Sequence, residues 1–353
     1  MAQRVFMHVG IPKTGTTFLQ TLMWRNRRAL RRAGLLVPGA RRADHFYGSL
    51  VVREDPNMSS RNEHAPTAWA RMLDEVRRWD GDAVISHEFY GAASAAQTAS
   101  AIEDLAPAHV HIVGTVRNLV DAFPSFWAES VKFGGTRSLA EFCAAPDDDP
   151  ARVWGWRTMD APAVLERWTG EQDALRTHVV VYPSSGSDPR ELWRRFARVM
   201  DVDDSVCDTA RSTPNASLGV TEAELLRRVN AHLGPGSRYR VEAGRWIRGY
   251  LSQQVLVPHG GMPVVPADDV RGLLVERQQR AVESITAAGY DVVGSLGDLT
   301  KTSDSTPRDP SDVSSDDMLD VATESIARLL YDLRQVTRER DALQGQPDRA
   351  SHV

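Results

Sequence analysis

The chain has 353 residues, 42% of them apolar and 25% charged, fractions that suit one large globular domain or one domain with additions. Its net charge of −5, with Arg interleaved among Asp and Glu, argues against a general nucleic-acid binder, which tracks phosphates with a basic face. Two cysteines, Cys143 and Cys207, are too few and too far apart for a zinc spacing or a disulfide framework. Both are expected as reduced packing residues.

The N-terminus shows no basic region followed by an apolar stretch and a cleavage site. Val5-Phe6-Met7-His8-Val9 starts directly as a strand, and no run approaches the ~18 apolar residues that span a membrane. A cytoplasmic location is the expectation, and there the sequon Asn215-Ala216-Ser217 has no role. Residues 4–9 read as a strand, 10–15 as a loop and 16–33 as one helix closed by Gly34. That helix buries Phe18, Leu19, Leu22 and Leu30 and exposes its arginines. A second helix is predicted over 66–79, with Trp69, Met72, Leu73 and Val76 at helical spacing. The region 40–65 reads as loop.

Residues 83–86 form a short apolar strand, 92–105 an Ala-rich helix, 109–116 another strand, 119–132 a helix and 179–182 a fourth strand. Continuous β-branched strands alternating with helices specify a parallel sheet covered on both faces, hence an α/β class. From about 190 to 290 the pattern is helical: 192–200, a helix to 233 opened by a capping-box signature at Thr221-Glu222-Ala223-Glu224, and 268–288. Residues 1–298 are taken as one α/β domain carrying these helical additions. The segment 299–317, rich in Ser, Thr, Asp and Pro, reads as a flexible linker. Over 318–345, Leu319, Ala322, Ile326, Leu329, Leu333 and Val336 alternate in steps of three and four, an amphipathic helix. Its two readings are docking on its own domain and self-association.

The strongest chemical signal is Gly10-Ile11-Pro12-Lys13-Thr14-Gly15-Thr16-Thr17, between a strand and a helix. Backbone N–H groups of the turn and of the first helical turn are unpaired and sit at the positive end of the helix dipole, which favours a phosphate. Lys13 adds charge and the threonines add donors. The nucleoside-triphosphatase loop has Lys directly after its second Gly, followed by a magnesium-holding Ser or Thr. Here Thr16 stands at that Lys position, so a metal-dependent kinase is disfavoured. The composition holds no cluster of metal-ligating residues.

Pro12-Lys13-Thr14-Gly15-Thr16-Thr17-Phe18-Leu19-Gln20 resembles the 5′-phosphosulfate loop of sulfotransferases that use 3′-phosphoadenosine 5′-phosphosulfate, in the form seen in bacterial and Golgi-type members. The resemblance implies a P-loop-like three-layer fold, that nucleotide as donor and no metal. It gives Lys13 the bridging and sulfuryl oxygens, and Thr14, Gly15, Thr16 and Thr17 the 5′-phosphate. The family grips the donor's 3′-phosphate with an Arg at a strand end and a Ser eight residues on. Arg117 and Ser125 have that spacing, and Arg117 follows the strand 109–116, where open α/β sheets bind ligands. The motifs span roughly residues 3–200, and Gly289-Tyr290-Asp291-Val292-Val293 is similar to the close of the core in actinobacterial relatives.

A general base is expected at the end of the second long strand, in Ser86-His87-Glu88. Cytosolic members resemble this with a His; many bacterial members use a Glu, and the Ser-x-Glu pattern favours Glu88 over His87. Adjacent residues of an extended segment face opposite ways, so one of the two faces the acceptor. Trp127, Glu129 and Lys132 either line the pocket mouth or pack. His45 and Phe46 are read as surface loop, with acceptor contact as the alternative. Arg245 and Arg248 have a loose similarity to a basic segment that closes over the donor. The adenine-contacting aromatic has no assignment. The reading is a sulfotransferase acting on a hydroxyl of a carbohydrate, lipid or small metabolite. Its rivals are a P-loop nucleotide kinase or triphosphatase, and a non-catalytic nucleotide-binding scaffold.

Overall fold

The computed structural model describes residues 1–146, 153–184, 186–209, 217–234, 243–301 and 306–344. Asn215 and Ala216 of the sequon lie outside these residues, as does part of the expected linker. The chain divides into two compact units. The first comprises Met1–Phe126, Glu141–Pro214 and Asp268–Ser305; the second comprises Trp127–Ala140, Asn215–Ala267 and Thr306–Val353.

The first unit is built on six parallel strands in the order β2-β3-β1-β4-β5-β6. They are β1 (Arg4–Gly10), β2 (Leu35–Leu36), β3 (Asp82–Ser86), β4 (His109–Val116), β5 (Thr177–Val181) and β6 (Asp291–Val293). Between them run α1 (Thr16–Arg25), α2 (Arg27–Arg32), α3 (Asp44–Val52), α4 (Met58–Arg61), α5 (Ala68–Arg77) and α6 (Ala95–Asp104). There follow α7 (Leu119–Lys132), α8 (Leu139–Ala144), α9 (Trp156–Met159), α10 (Ala161–Thr169) and α11 (Glu191–Val199). The expected α/β class with a P-loop-like central parallel sheet is what the chain adopts. The strand order reverses around β1, and ligands of open α/β sheets bind at such a reversal, outside the carboxyl ends of the strands. Phe6, Leu19, Met23, Leu30, Trp193 and Phe196 form the core between sheet and helices, each essentially inaccessible. Each such side chain contributes roughly 1.5–3 kcal/mol by leaving water. Cys143 and Cys207 are both free and buried.

The expected helix over 16–33 is two helices, α1 and α2. Asn26 interrupts it: its amide Nδ2 donates to Leu22 O at 2.9 Å, and its Oδ1 accepts from Asp208 N at 3.2 Å. An Asn side chain that bonds backbone in this way competes with helix propagation. The stretch 40–65 is also not a loop, because it contains α3. Asp44 anchors that helix, accepting from Ala40 N at 2.9 Å and from Arg71 Nη2 at 2.9 Å.

The second unit contains α12 (Val220–His232), a wide π-type helix α13 (Ala243–Leu256) and α15 (Ser315–Leu343); α14 (Asp268–Ala288) belongs to the first. The capping box at Thr221 does not form: Gly219 is the N-cap, without a side-chain bond. Glu224 instead holds Arg227 at 2.7 Å and Arg228 at 2.8 Å from a nearly inaccessible position. Arg308 pairs with Val265 in an isolated antiparallel bridge and Asp309 is buried, so these two residues are anchored within this unit. Ser314 caps α15 through Asp317 N. Met318 and Ser325 of α15 are buried and Asp332 accepts from Tyr250 at 2.8 Å, whereas Leu319, Ile326, Leu330 and Leu333 face solvent. Among the described residues no helix is long and apolar enough to cross a membrane.

Candidate active site

The loop after β1 is shaped by its backbone. Gly10 has φ +102° and Lys13 φ +64°, a left-handed conformation that a side-chain-bearing residue adopts at a cost of about 1–3 kcal/mol. The loop is pinned from below. Ile11 N donates to Thr115 O at 2.9 Å, and the Thr14 hydroxyl donates to Ile11 O and meets the Thr115 hydroxyl. Thr14 thus spends its donor inside the loop, and its offer to an anion is the backbone N–H. Gly15 is the N-cap of α1 and provides no side-chain cap, and no acidic residue stands in the first turn. The N–H groups of that turn keep their positive end for an external acceptor. Thr16 is buried while Thr17 is exposed. A methyl at Gly15 would run into Leu192 and lie 3.1 Å from the Tyr182 ring, so only glycine lets the loop sit this deep.

The residues after β3 come up against this loop. A Cβ on Gly10 would stand 2.9 Å from both Cα and Cβ of Glu88, so the backbones of loop and candidate base are in direct contact. Gln20, one turn into α1, donates from Nε2 to Glu88 Oε2 at 3.0 Å. Burial opposes the charged form of Glu88. His87, the residue's own N–H and the Gln20 amide outweigh it and hold the carboxyl below its ordinary value, so Glu88 is ionised at neutral pH. His87 is shifted down as well, its imidazolium disfavoured by burial and by Arg53 and Arg42 despite Glu88. Its Nδ1 accepts from Phe89 N at 3.1 Å, which leaves the ring proton of the neutral form on Nε2. Phe46 packs on the His87 ring at 5.1 Å and on Phe89 at 6.1 Å, and Phe89 meets Trp154 edge-on at 5.7 Å.

Beneath the pair lies a buried polar relay that the sequence reading did not anticipate. His8 on β1 contacts Ser86 Oγ through Nδ1 at 2.7 Å and Thr115 Oγ1 through Nε2 at 3.2 Å. Complete burial pushes its pKa down to about 3, so it is a neutral hydrogen-bonding bridge. Thr115 continues the relay to Thr14, which links the ends of β3, β1 and β4 to the loop after β1.

Arg117 follows β4, as expected, with its guanidinium 4.9 Å from the centre of the Tyr182 ring at the end of β5. The segment is held from both sides: Leu119 N donates to Gln278 Oε1 at 2.9 Å and Asn118 Nδ2 to Lys301 O at 2.7 Å. Ser125 lies on α7, half-buried, its hydroxyl donating to Asp121 O at 3.4 Å. Beside Arg117 a cleft of about 120 Å³ runs past Ile11, Thr14, Trp156 and Arg277.

The remaining candidates separate clearly. Trp127 is fully buried and donates to Arg137 O at 2.9 Å, so it packs and lines no mouth. Lys132 and Glu129 pair at 3.4 Å, and Glu129 also holds Arg248 at 3.1 Å, so these charges serve one another within the second unit. Arg245 lies over the ring of its neighbour Trp246. His45, expected on a surface loop, is a buried residue of α3. Its Nε2 donates to Pro38 O at 2.7 Å and its Nδ1 accepts from Ser86 N at 2.9 Å, which fastens the strand end before His87. Two residues at the site had a readable signal: Gln20 sits one α1 turn beyond Thr16, and Tyr182 ends its strand as Arg117 ends β4. Among the described residues no group of three or more His, Cys, Asp or Glu is arranged to hold a metal ion.

No family model matches the chain, and neither does any curated protein. Among solved structures the chain is similar to a sulfotransferase from Alicyclobacillus acidocaldarius, at 18% identity and a TM-score of 0.40 over 67% of this chain and 99% of that one. It is also similar to the sulfotransferase domain from the curacin biosynthetic pathway, at 10% identity and a TM-score of 0.34 over 60% of this chain and 78% of that domain.

Proposed function

We propose that the protein is a sulfotransferase that moves a sulfuryl group from 3′-phosphoadenosine 5′-phosphosulfate to an acceptor hydroxyl. The observation that carries this reading is the contact between an ionised Glu88, steadied by Gln20, and Gly10 of a phosphate loop that lacks the Gly-Lys-Ser/Thr arrangement of the triphosphatases. The donor's 5′ group suits the N–H groups of the loop and of α1, with Lys13 beside them. Its 3′-phosphate suits the Arg117 guanidinium, with Ser125 as a further donor. Tyr182, flanked by Arg117 and Gly15, offers a ring to the nucleotide.

In this reading the acceptor oxygen attacks sulfur in line as the bond from sulfur to the bridging phosphate oxygen breaks. Glu88 takes the hydroxyl proton, and the charge developing on the leaving oxygen is met by Lys13 and the loop N–H groups. His87 is the weaker base, because one ring nitrogen carries the proton and the other accepts from Phe89. The half-exposed rings of Phe46, Phe89 and Trp154 flank the base and suit an apolar or sugar-ring face of the acceptor. The test is calorimetric titration with 3′-phosphoadenosine 5′-phosphate without magnesium, on wild type and Arg117→Ala. Binding that weakens at least about tenfold in the variant, as for a lost charge-assisted bond, supports the donor site. No binding, together with binding of ATP and magnesium, sinks the reading in favour of a kinase.

A further inference from the structure

We propose that two copies of this chain associate through the outward face of α15, paired antiparallel. Leu319, Ile326, Leu330 and Leu333 are 57–63% exposed there, although the helix already has an inner face in contact with its own unit through Met318, Ser325 and Asp332. With exposed Thr323 and half-buried Thr337, these residues lie at steps of four and three over residues 319–337. This is the spacing of a coiled-coil seam, about 27 Å long at 1.5 Å per residue. Leu329, which the sequence periodicity also places in the stripe, is half-buried, so Leu330 completes the outward seam.

The charges choose the partner and its direction. Residues 315–327 carry Asp316, Asp317, Asp320 and Glu324 and no basic side chain, whereas residues 328–343 carry four arginines against three acids. A parallel pair of copies would set the acidic half against itself. Pairing about Arg328 in the antiparallel sense sets Leu319 against Thr337, Thr323 against Leu333, and Ile326 against Leu330 of the second copy. The same register sets Asp320 beside Arg334 of the second copy, twice by symmetry, and both residues are exposed. A second copy therefore matches this face in both apolar spacing and charge. The seam is under three heptads and has threonine in its outer layers, so a weak, concentration-dependent dimer is expected.

The full-length protein is followed by sedimentation velocity from low to about 200 μM, a range that captures micromolar association. The expected result is a monomer–dimer equilibrium that Ile326→Asp/Leu330→Asp abolishes with an unchanged circular dichroism spectrum. Asp320→Arg should weaken it about tenfold through two like-charge contacts, and adding Arg334→Asp should restore it to within about threefold. A Thr323→Cys and Leu333→Cys mixture should cross-link as the heterologous pair and not as like pairs. A chain that stays monomeric across the range overturns the proposal, and so does a monomer that instead sediments with phosphatidylserine vesicles. Rescue-free charge swaps or Thr323–Thr323 cross-links overturn the antiparallel register.

Discussion

Substituting Gly10→Ala tests whether the loop after β1 and the candidate base share one fixed geometry. The added methyl meets Glu88 Cα and Cβ at 2.9 Å, whereas ordinary contact begins at 3.4 Å, so one backbone has to withdraw by at least about 0.5 Å. The residue also stands at φ +102°, which costs about 1–3 kcal/mol for a side-chain-bearing residue. Overpacking against backbone adds about 1–3 kcal/mol, because no flexible side-chain end can yield. Gly34→Ala is the control: φ is +91° there and nothing lies within 4 Å, so it bears the conformational cost alone. Thermal melts should therefore rank wild type, then Gly34→Ala, then Gly10→Ala. Sulfate release to water from 3′-phosphoadenosine 5′-phosphosulfate should fall by up to about 10²-fold in Gly10→Ala, the loss expected for displacing reacting groups by an ångström. If Gly10→Ala melts with the control and turns over within twofold of wild type, loop and base are not coupled and the reasoning fails.

The other outcomes concern the charge states at and below the site. Glu88→Gln should lower turnover about 10²–10⁴-fold while leaving the affinity for 3′-phosphoadenosine 5′-phosphate nearly unchanged, as expected for a lost general base. Because Gln20 helps hold the Glu88 carboxyl below its ordinary value, Gln20→Ala should move the acidic limb of the pH–rate profile upward, read from turnover between pH 4 and 7. His8 is pushed down to about 3 and His45 to about 4 by burial, both below the ~6.5 of an unfolded histidine. Between those values the unfolded chain binds more protons, so stability rises with pH up to about 6.5 and is lost on acidification, by up to about 1.4 kcal/mol per pH unit for each histidine. Urea melts from pH 7 down to 5 measure this slope, and His45→Gln should flatten it.

Most of the sheet was legible because parallel strands are buried on both faces and read as continuous apolar runs, as in residues 109–116. The turn of residues 10–15 was legible because glycines at both of its ends take the positive φ that a tight strand-to-helix connection needs. What escaped was set by tertiary contact. Asn26 splits a continuous helical pattern because Asp208, far along the chain, meets its side chain. Residues 40–65 look like polar loop, yet Asp44 finds Arg71 and His45 finds Ser86, and α3 forms around those bonds. Glu224 reads as a capping-box member, but two arginines of its own helix claim it. The choice between His87 and Glu88 could not be made from spacing. The bonds that distinguish the two, from Phe89 N to His87 and from the Gln20 amide to Glu88, are not encoded in periodicity.

The buried relay explains why a polar residue stands in the middle of an otherwise apolar central strand. A valine at His8 would take from the buried Ser86 hydroxyl its His8 partner and cut the bridge to Thr115, and an unpaired buried hydroxyl costs about 1–3 kcal/mol. With His8 in place and neutral, the hydroxyls of the outer strands are tied to one ring. Thr115 carries that tie to Thr14, so the loop height is referred to the same bond system that fixes Ser86. Ser86 is the residue before His87, and its N–H is in turn held by His45. The position of Glu88 over Gly10 is thus bound from the strand side by His8 and His45 and from the helix side by Gln20. The proposed transfer stabilises charge on one oxygen while a proton leaves another, which requires both groups to be held to within a fraction of an ångström. A satisfied polar network beneath the strand ends holds them more sharply than apolar packing, because hydrogen bonds fix direction as well as distance.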